Sequence, residues 1–259
     1  MANILETKNL SKHFGGIVAC NGLSFAAQEG MITGVIGPNG AGKTTIFNLV
    51  TGVYRPTSGE ILFQGQAIGG IRPDQVVKRG ITRTFQNIRL FRNLSLLENV
   101  VIALDLRHTT YGIFRALTRM WGVGRKEKEL RRTAMDYLDT VGLADRPMAR
   151  ADSLPYGLQR KLEIARALAL EPRLLLLDEP AAGMNPEESM ALADLIRAVK
   201  SRFDLTVLLI EHHMDVVMEL CDHIVVMNFG EKLAEGTPAE IQNNPAVLTA
   251  YLGEDYERA

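Results

Sequence analysis

The chain has 259 residues, of which 46% are hydrophobic and 23% are charged, so it is long enough to bury a large core. Its net charge of −1 at pH 7 gives no basic excess of the kind that suggests a nucleic-acid partner. The N-terminus lacks a signal-like apolar run, and no stretch approaches the ~18 apolar residues of a membrane span. Two cysteines provide neither a disulfide framework nor metal-ligand spacing, which predicts a reducing cytoplasm.

The first part of the chain predicts antiparallel strands, because residues 4–27 alternate apolar and polar side chains with glycines as punctuation. Phe14 stands in Lys-His-Phe-Gly-Gly, in a predicted loop, and two interpretations are open. As an exposed aromatic it would stack on a base, an interaction worth roughly 1–3 kcal/mol in nucleic-acid complexes. Alternatively it is a core residue of a hairpin.

A phosphate-binding loop is predicted next, between the apolar run Ile32–Ile36 and a helix-compatible segment. The glycines let successive backbone N–H groups and the helix N-terminus point at phosphate oxygens. Lys43 adds a charge near the β- and γ-phosphates, and the Thr44 hydroxyl can ligate Mg²⁺. The predicted phosphate-binding residues are Gly37, Pro38, Asn39, Gly40, Ala41, Gly42, Lys43, Thr44 and Thr45.

The middle of the chain begins with a β-rich stretch, Ile81–Gln86, whose final glutamine by itself indicates only surface hydrogen bonding. Ser95 and Glu98 form a capping-box pattern that predicts a helix start.

Residues 107–132 hold eight Lys or Arg against two Glu, with three aromatics interleaved. This basic segment either faces lipid headgroups or a membrane partner, or is a solvated helix pair. Pro155 is predicted at the first position of a later helix.

A second chemical signal is the run of four leucines that ends in Asp178 and Glu179. Ligands bind at the carboxyl ends of strands in open α/β sheets, so Asp178 is predicted to hold Mg²⁺ and Glu179 to act as general base. His212 follows another apolar run and is either a γ-phosphate contact or a surface histidine. Thr237 caps a predicted C-terminal helix at about 237–252.

Taken together, these pieces resemble the ATP-binding subunits of ABC transporters over essentially the whole chain. The resemblance implies roles for residues that are ambiguous alone: Phe14 as the adenine-stacking aromatic, Gln86 as the Q-loop ligand of Mg²⁺, and His212 as the switch histidine. It also implies that Gly37–Thr45 is the Walker A motif, that Asp178 and Glu179 are the Walker B aspartate and catalytic glutamate, and that Ala181–Pro186 is the D-loop.

The signature motif is where the chain departs from the family pattern. The common Leu-Ser-Gly-Gly-Gln is replaced by Leu154, Pro155, Tyr156, Gly157 and Leu158. By resemblance, Leu154 to Gly157 would contact the ATP bound to a partner chain. The tyrosine and the surrounding runs resemble the longer ATPase subunit of high-affinity branched-chain amino-acid importers; urea and amide importers and the lipopolysaccharide-export ATPase look similar.

The resemblance implies a single α/β P-loop ATPase domain with an antiparallel β subdomain and a helical subdomain inserted at about 88–165. It implies ATP and Mg²⁺, a second ATPase subunit in a homo- or heterodimer, two integral membrane permease subunits, an indirect solute-binding protein, and a peripheral position on the cytoplasmic face of the inner membrane. No nucleic-acid partner is expected. Two rivals are a soluble ABC-type ATPase acting on DNA or ribosomes and a nucleotide-binding regulator without turnover.

Overall fold

The computed structural model describes the backbone of residues 2–108 and 123–257 and the side chains of residues 2–106 and 127–251. The chain divides into two compact units, one made of Met1–Gln86 with Arg173–Ala259 and the other of Asn87–Pro172. Most of the basic segment predicted at 107–132 lies outside the described side chains. Within its described part, Arg131 forms an ion pair with Glu127 one helical turn earlier, at 3.1 Å.

The first unit begins with the predicted antiparallel sheet. Its strands are β1 (Asn3–Phe14), β2 (Ile17–Gln28), β4 (Ser58–Phe63) and β5 (Gln66–Ala67), in the spatial order β2-β1-β4-β5. Alternate side chains of these strands are buried, which is the pattern of a sheet with one face on the core. The prediction of an antiparallel β subdomain is confirmed.

A six-stranded sheet carries the rest of the first unit. Its strands are β3 (Ile32–Ile36), β6 (Ile81–Arg83), β7 (Leu174–Asp178), β8 (Thr206–Ile210), β9 (His223–Asn228) and β10 (Glu231–Gly236), in the order β10-β9-β3-β8-β7-β6. All neighbours run parallel except the β9–β10 hairpin. Because β3, β7 and β8 are buried along their whole length, they consist almost entirely of apolar residues.

The register of this sheet brings three strand ends to the same edge. Ile210 pairs with Val35 on one side and with Asp178 on the other. The residues that follow β3, β7 and β8 therefore emerge side by side, at the edge where open α/β sheets bind ligands.

Among the described elements, a helix follows each strand of the six-stranded sheet except β9, which leads directly to β10. The described helices are α1 (Lys43–Val50), α2 (Pro73–Lys78), α3 (Leu96–His108), α4 (Val123–Thr140), α5 (Tyr156–Leu168), α6 (Pro186–Phe203), α7 (Met214–Leu220), α8 (Pro238–Gln242) and α9 (Pro245–Glu257). None of these helices is both long and apolar enough to cross a bilayer.

The second unit contains α3, α4 and α5, which pack against one another. Ser95 and Glu98 form the predicted capping box: the Ser95 amide donates to Glu98 at 2.8 Å and the Glu98 amide to Ser95 at 3.2 Å. The buried face of α4 includes Ala134 and Leu138, which are fully buried. The unit extends to residue 172, beyond the predicted boundary of the helical subdomain near 165, because α5 continues to Leu168.

Three further predicted boundaries differ from the structure. The β-rich stretch at 81–86 forms a strand only as far as Arg83. Pro155 is the N-cap of α5 and not its first helical residue, because its ψ of 153° is extended. The single C-terminal helix predicted at 237–252 is two helices, since Pro245 disfavours helical geometry at Asn244, whose side chain accepts the Ala246 amide at 3.0 Å.

Candidate active site

The loop between β3 and α1 requires glycine at two positions. Gly37 has φ +147°, and a Cβ there would lie 2.1 Å from the Met227 carbonyl oxygen. Gly42 has φ +97°, and a Cβ there would lie 2.3 Å from the Ala19 carbonyl oxygen. No other residue fits these sites without moving the backbone of a neighbouring segment. The loop therefore keeps its backbone close to the sheet and delivers Lys43 as the first residue of α1.

The charge of Lys43 lies over the same loop. Its Nζ donates to the carbonyl oxygens of Gly37 at 2.5 Å and Pro38 at 2.9 Å, and the residue is only 8% exposed. Asn39 and Gly40 at the loop tip and Thr44 in the first helical turn are exposed, whereas Pro38 and Ala41 are buried and Thr45 is partly buried. The predicted ATP-binding residues of this segment thus form one continuous loop and helix start.

Asp178 ends β7 and is 2% exposed. Its Oδ2 accepts a hydrogen bond from Nη2 of Arg83 at 2.5 Å, in an ion pair with both side chains almost fully buried. Arg83 also donates from Nη1 to Asn48 on α1, at 2.7 Å. Sequence reasoning did not single out Arg83. The signal that could have identified it is a charged residue at the end of a strand whose other residues are buried.

Glu179 brings two other predicted residues together. Its Oε2 accepts from Nε2 of Gln86 at 2.7 Å and lies 3.7 Å from Nδ1 of His212. Its backbone adopts a left-handed conformation with φ +47°, which non-glycine residues rarely adopt and which turns the chain sharply after the strand. A carboxylate, an amide and an imidazole from three separate segments therefore meet at the carboxyl edge of the sheet.

Glu211 is a further residue that sequence reasoning missed. It is fully buried, and its carboxylate accepts the backbone amides of Ala181 at 2.8 Å, His212 at 2.9 Å and His213 at 3.2 Å. It also lies 3.1 Å from Nδ1 of His213. The side chains of Glu211, His212 and His213 offer metal-ligand atoms within 4.8 Å of one another. The Glu211 oxygens already accept several hydrogen bonds. We therefore assign this carboxylate the role of holding together the loop after β7 and the loop after β8.

Phe14 ends β1 with 39% of its surface exposed, so it is not a core residue of the hairpin. Its ring contacts Tyr54 edge to face, with centroids 5.0 Å apart, and Nζ of Lys12 lies 4.8 Å from its centroid. An aromatic with an exposed face and a neighbouring cation can stack on a base.

The signature residues lie in the second unit, at the start of α5. Leu154 is 7% exposed, Pro155 is the N-cap, and Tyr156 is 43% exposed. The Tyr156 hydroxyl accepts from Nη2 of Arg160 at 2.8 Å, and Arg160, itself fully buried, forms an ion pair with Glu163 at 2.7 Å. Tyr156 is therefore fixed by its own helix, and Gly157 follows within the first turn.

Burial raises the pKa of Cys20 to about 11 and that of Cys221 to about 12. Both thiols are therefore protonated at neutral pH. At neutral pH neither position therefore supplies a thiolate nucleophile.

Comparison with known proteins assigns the family. A family model described as "ABC transporter" matches residues 20–182, and one described as "Branched-chain amino acid ATP-binding cassette transporter" matches residues 231–257. The chain is 45% identical over 251 residues to the high-affinity branched-chain amino acid transport ATP-binding protein BraF of Pseudomonas aeruginosa, covering 97% of this chain and 98% of that protein. The chain belongs to the ATP-binding subunits of ABC transporters. It is therefore a P-loop ATPase.

Other relatives of this cassette agree. LivG of Escherichia coli K12, described by the same high-affinity transport function, is 43% identical over 251 residues, covering 97% of this chain and 98% of that protein. The solved ADP conformation of MJ1267, an ATP-binding cassette of an ABC transporter, matches with a TM-score of 0.85 at 30% identity, covering 98% of this chain and 100% of that chain. The predicted fold class is confirmed.

Proposed function

We propose that this cassette hydrolyses ATP to drive a high-affinity importer of branched-chain amino acids, through membrane subunits that it contacts. The substrate class is supported by full-length similarity to proteins named for this transport, at 43–45% identity. The hydrolytic role is supported by one observation above all: the Glu179 carboxylate contacts both Gln86 and His212 at the sheet edge beside the P-loop.

The residues present suit ATP with Mg²⁺. Glycine at positions 37 and 42 lets the P-loop pack against the backbone of Met227 and Ala19 in turns that other residues cannot adopt, and the N–H groups of such turns bind phosphate. Asp178, Thr44 and Gln86 offer carboxylate, hydroxyl and amide oxygens, the ligand type that Mg²⁺ prefers. These three side chains would hold the ion, which, when bound, supplies positive charge to the phosphate oxygens.

Each polar side chain then has a defined task. Lys43 binds the phosphates and stabilises the charge that develops on them. Glu179 accepts the proton of the attacking water as the water oxygen bonds to the γ-phosphorus and the bond to ADP breaks. Gln86 and His212 fix the orientation of the Glu179 carboxylate, while His212 also faces the transferred phosphoryl group. Phe14 stacks on the adenine.

The assembly follows from the incomplete site of one chain. A second ATPase subunit, identical or different, contributes its signature to this chain's ATP, and Leu154, Pro155, Tyr156 and Gly157 serve the partner's ATP in return. Two integral membrane subunits form the solute pathway, and a solute-binding protein delivers the solute to them. The cassette sits peripherally on the cytoplasmic face of the membrane. The basic composition of residues 107–132 suits lipid headgroups or a membrane partner at that face.

The test is a transporter reconstituted in lipid vesicles from this chain, its co-purifying membrane subunits and their binding protein. We expect leucine, isoleucine or valine to stimulate ATP hydrolysis and ATP-dependent uptake. Glu179→Gln should lower hydrolysis by about 10²–10⁴-fold, because the amide cannot accept the proton. ATP affinity of this variant, measured by nucleotide titration, should stay within a few-fold of the unsubstituted chain.

The matched control is Glu235→Gln, the same exchange at an exposed carboxylate on β10, which should leave hydrolysis unchanged. Hydrolysis by Glu179→Gln at the full rate would remove Glu179 from the role of base. Stimulation by urea or an amide, with no response to branched-chain amino acids, would reject the proposed solute class and leave the ATPase assignment intact.

A further inference from the structure

The first unit contains a buried guanidinium that touches several functional segments at once. Arg83 donates to Oδ2 of Asp178 at 2.5 Å and to Oδ1 of Asn48 at 2.7 Å. Its side chain is 6% exposed and that of Asp178 is 3% exposed. The Phe47 and Phe85 rings flank it, with centroids 5.4 Å and 5.1 Å from the guanidinium carbon. Hydrogen bonds and two aromatic rings together restrict its rotamer.

The three segments that meet at Arg83 are those that carry the three proposed metal ligands. Asp178 is contacted directly. Asn48 lies four residues after Thr44 on α1, so the two side chains share one face of the helix. Gln86 follows Arg83 by three residues in the segment that leaves β6. Arg83, on β6, therefore links α1 to β7 through one side chain.

The chemistry favours arginine for this task. Its planar guanidinium presents several N–H donors in fixed directions, so it can bind two acceptors at a set spacing. Lysine carries a single ammonium on a flexible stem and does not reproduce that geometry. By occupying one oxygen of Asp178, Arg83 fixes the plane of the carboxylate. Groups that orient metal ligands in this way contribute about 10–100-fold to metal affinity in known metal sites.

We propose that Arg83 is a positioning residue of the metal site, which orients Asp178 and fixes its separation from Thr44 on α1. The inference rests on the proposed role of Asp178 as a ligand of Mg²⁺. In this role Arg83 is not a ligand of the metal and acts through the side chains to which it donates, Asp178 and Asn48. A purely structural ion pair would affect stability alone, whereas a positioning residue changes the metal affinity of the folded protein.

The test measures binding of Mn²⁺, as a probe for Mg²⁺, to the purified chain saturated with ADP, by electron paramagnetic resonance. ADP is used so that no turnover occurs. Arg83→Met should weaken Mn²⁺ binding by about 10–100-fold. Arg83→Lys should weaken it by about tenfold, since lysine keeps the charge but not the N–H donors in fixed directions. If Arg83→Met does not fold, Arg83→Lys carries the measurement alone. Mn²⁺ affinity within twofold of the unsubstituted chain in the folded variants would overturn the inference.

Two further variants separate the inference from its premise. Arg160→Met removes another buried, ion-paired arginine, in the other unit, and should lower the melting temperature without changing Mn²⁺ affinity. Asp178→Asn should weaken Mn²⁺ binding, and adding Arg83→Met to it should have no further effect, because the oriented group is gone. Unchanged Mn²⁺ affinity in Asp178→Asn would reject Asp178 as a ligand and the inference with it. If Arg83→Met weakens Mn²⁺ binding as much in the Asp178→Asn protein as in the unsubstituted chain, Arg83 does not act through Asp178. That result would overturn the inference and leave Asp178 as a metal ligand.

Discussion

The starts of α1 and α5, which are the two helices predicted to face ATP phosphates, differ from the starts of α6 and α8. Neither α1 nor α5 has a side-chain cap hydrogen bond: their N-caps are Gly42 and Pro155. By contrast, Asn185 before α6 and Thr237 before α8 form complete capping boxes. A side-chain cap occupies amide donors of the first turn. Both helices proposed to bind phosphate thus begin with a first turn that no side chain caps, a feature that they share with α2 and α7.

The two uncapped starts also differ from each other. At α1 the glycine loop and the Lys43 charge accompany the helix dipole. At α5, Pro155 has neither a hydroxyl nor an amide hydrogen, so the start offers the Gly157 amide and the dipole. We therefore expect α1 to account for most of the ATP affinity, and α5 to make a weaker contribution to hydrolysis at the partner's site.

The largest effect is expected at α1. Lys43→Ala removes a charged donor that contacts phosphates both before and during the reaction, so ATP affinity should fall by about 10–100-fold together with the rate. Nucleotide titration of the purified chain measures this. An unchanged dissociation constant for ATP would mean that α1 does not hold the phosphates. The contrast between α1 and the capped helices would then have no functional meaning.

A smaller effect is expected at α5. Pro155→Ser adds a hydroxyl donor and should raise the hydrolysis rate of a homodimer by about tenfold or less. Loss of a donor typically costs ~10²–10³ at an oxyanion hole, but here the charge is spread over three oxygens. Pro155→Ala restores the amide hydrogen without the hydroxyl and is the matched control. Equal rates of the Pro155→Ser and Pro155→Ala proteins, measured by phosphate release, would show that the hydroxyl does not matter in this cassette.

In a heterodimer the same reasoning predicts unequal sites. The deficit of this chain's signature falls on the partner's ATP, while this chain's own ATP is completed by the partner's signature. The Lys43–Glu179 site should then be the faster one, provided that the partner signature is complete. Site-resolved turnover with each Walker B glutamate replaced in turn would decide between unequal and equal sites.

The smallest effect is expected at a capped helix. Thr237→Ala removes the hydroxyl that accepts the Glu240 amide, and should destabilise the protein by about 0.5–2 kcal/mol. That corresponds to a few degrees in melting temperature for a chain of this size. ATP affinity should not change, and Thr237→Ser should retain most of the stability. A loss of ATP affinity in Thr237→Ala would break the distinction between structural and phosphate-binding helix starts.

Much of the fold and part of the site could be predicted because their signals are local. The P-loop, the strand with the acidic pair Asp178 and Glu179 at its end, and the capping boxes at Ser95 and Thr237 each occupy a short run of sequence, whose chemistry constrains its own backbone. The exact ends were predicted less well. The helix predicted to start at Pro155 starts one residue later, at Tyr156, and Pro245 divides the predicted C-terminal helix in two.

The sequence by itself therefore determined where the main strands and helices lie along the chain, the phosphate-binding loop and the two acidic residues at the end of β7. Only the tertiary structure decided which distant side chains meet. Arg83 reaches Asp178 across 95 residues of sequence, Gln86 reaches Glu179 across 93, and Glu211 reaches Ala181 across 30. These contacts depend on strand order and register, and a parallel sheet places side by side strands that long crossover connections separate in the chain.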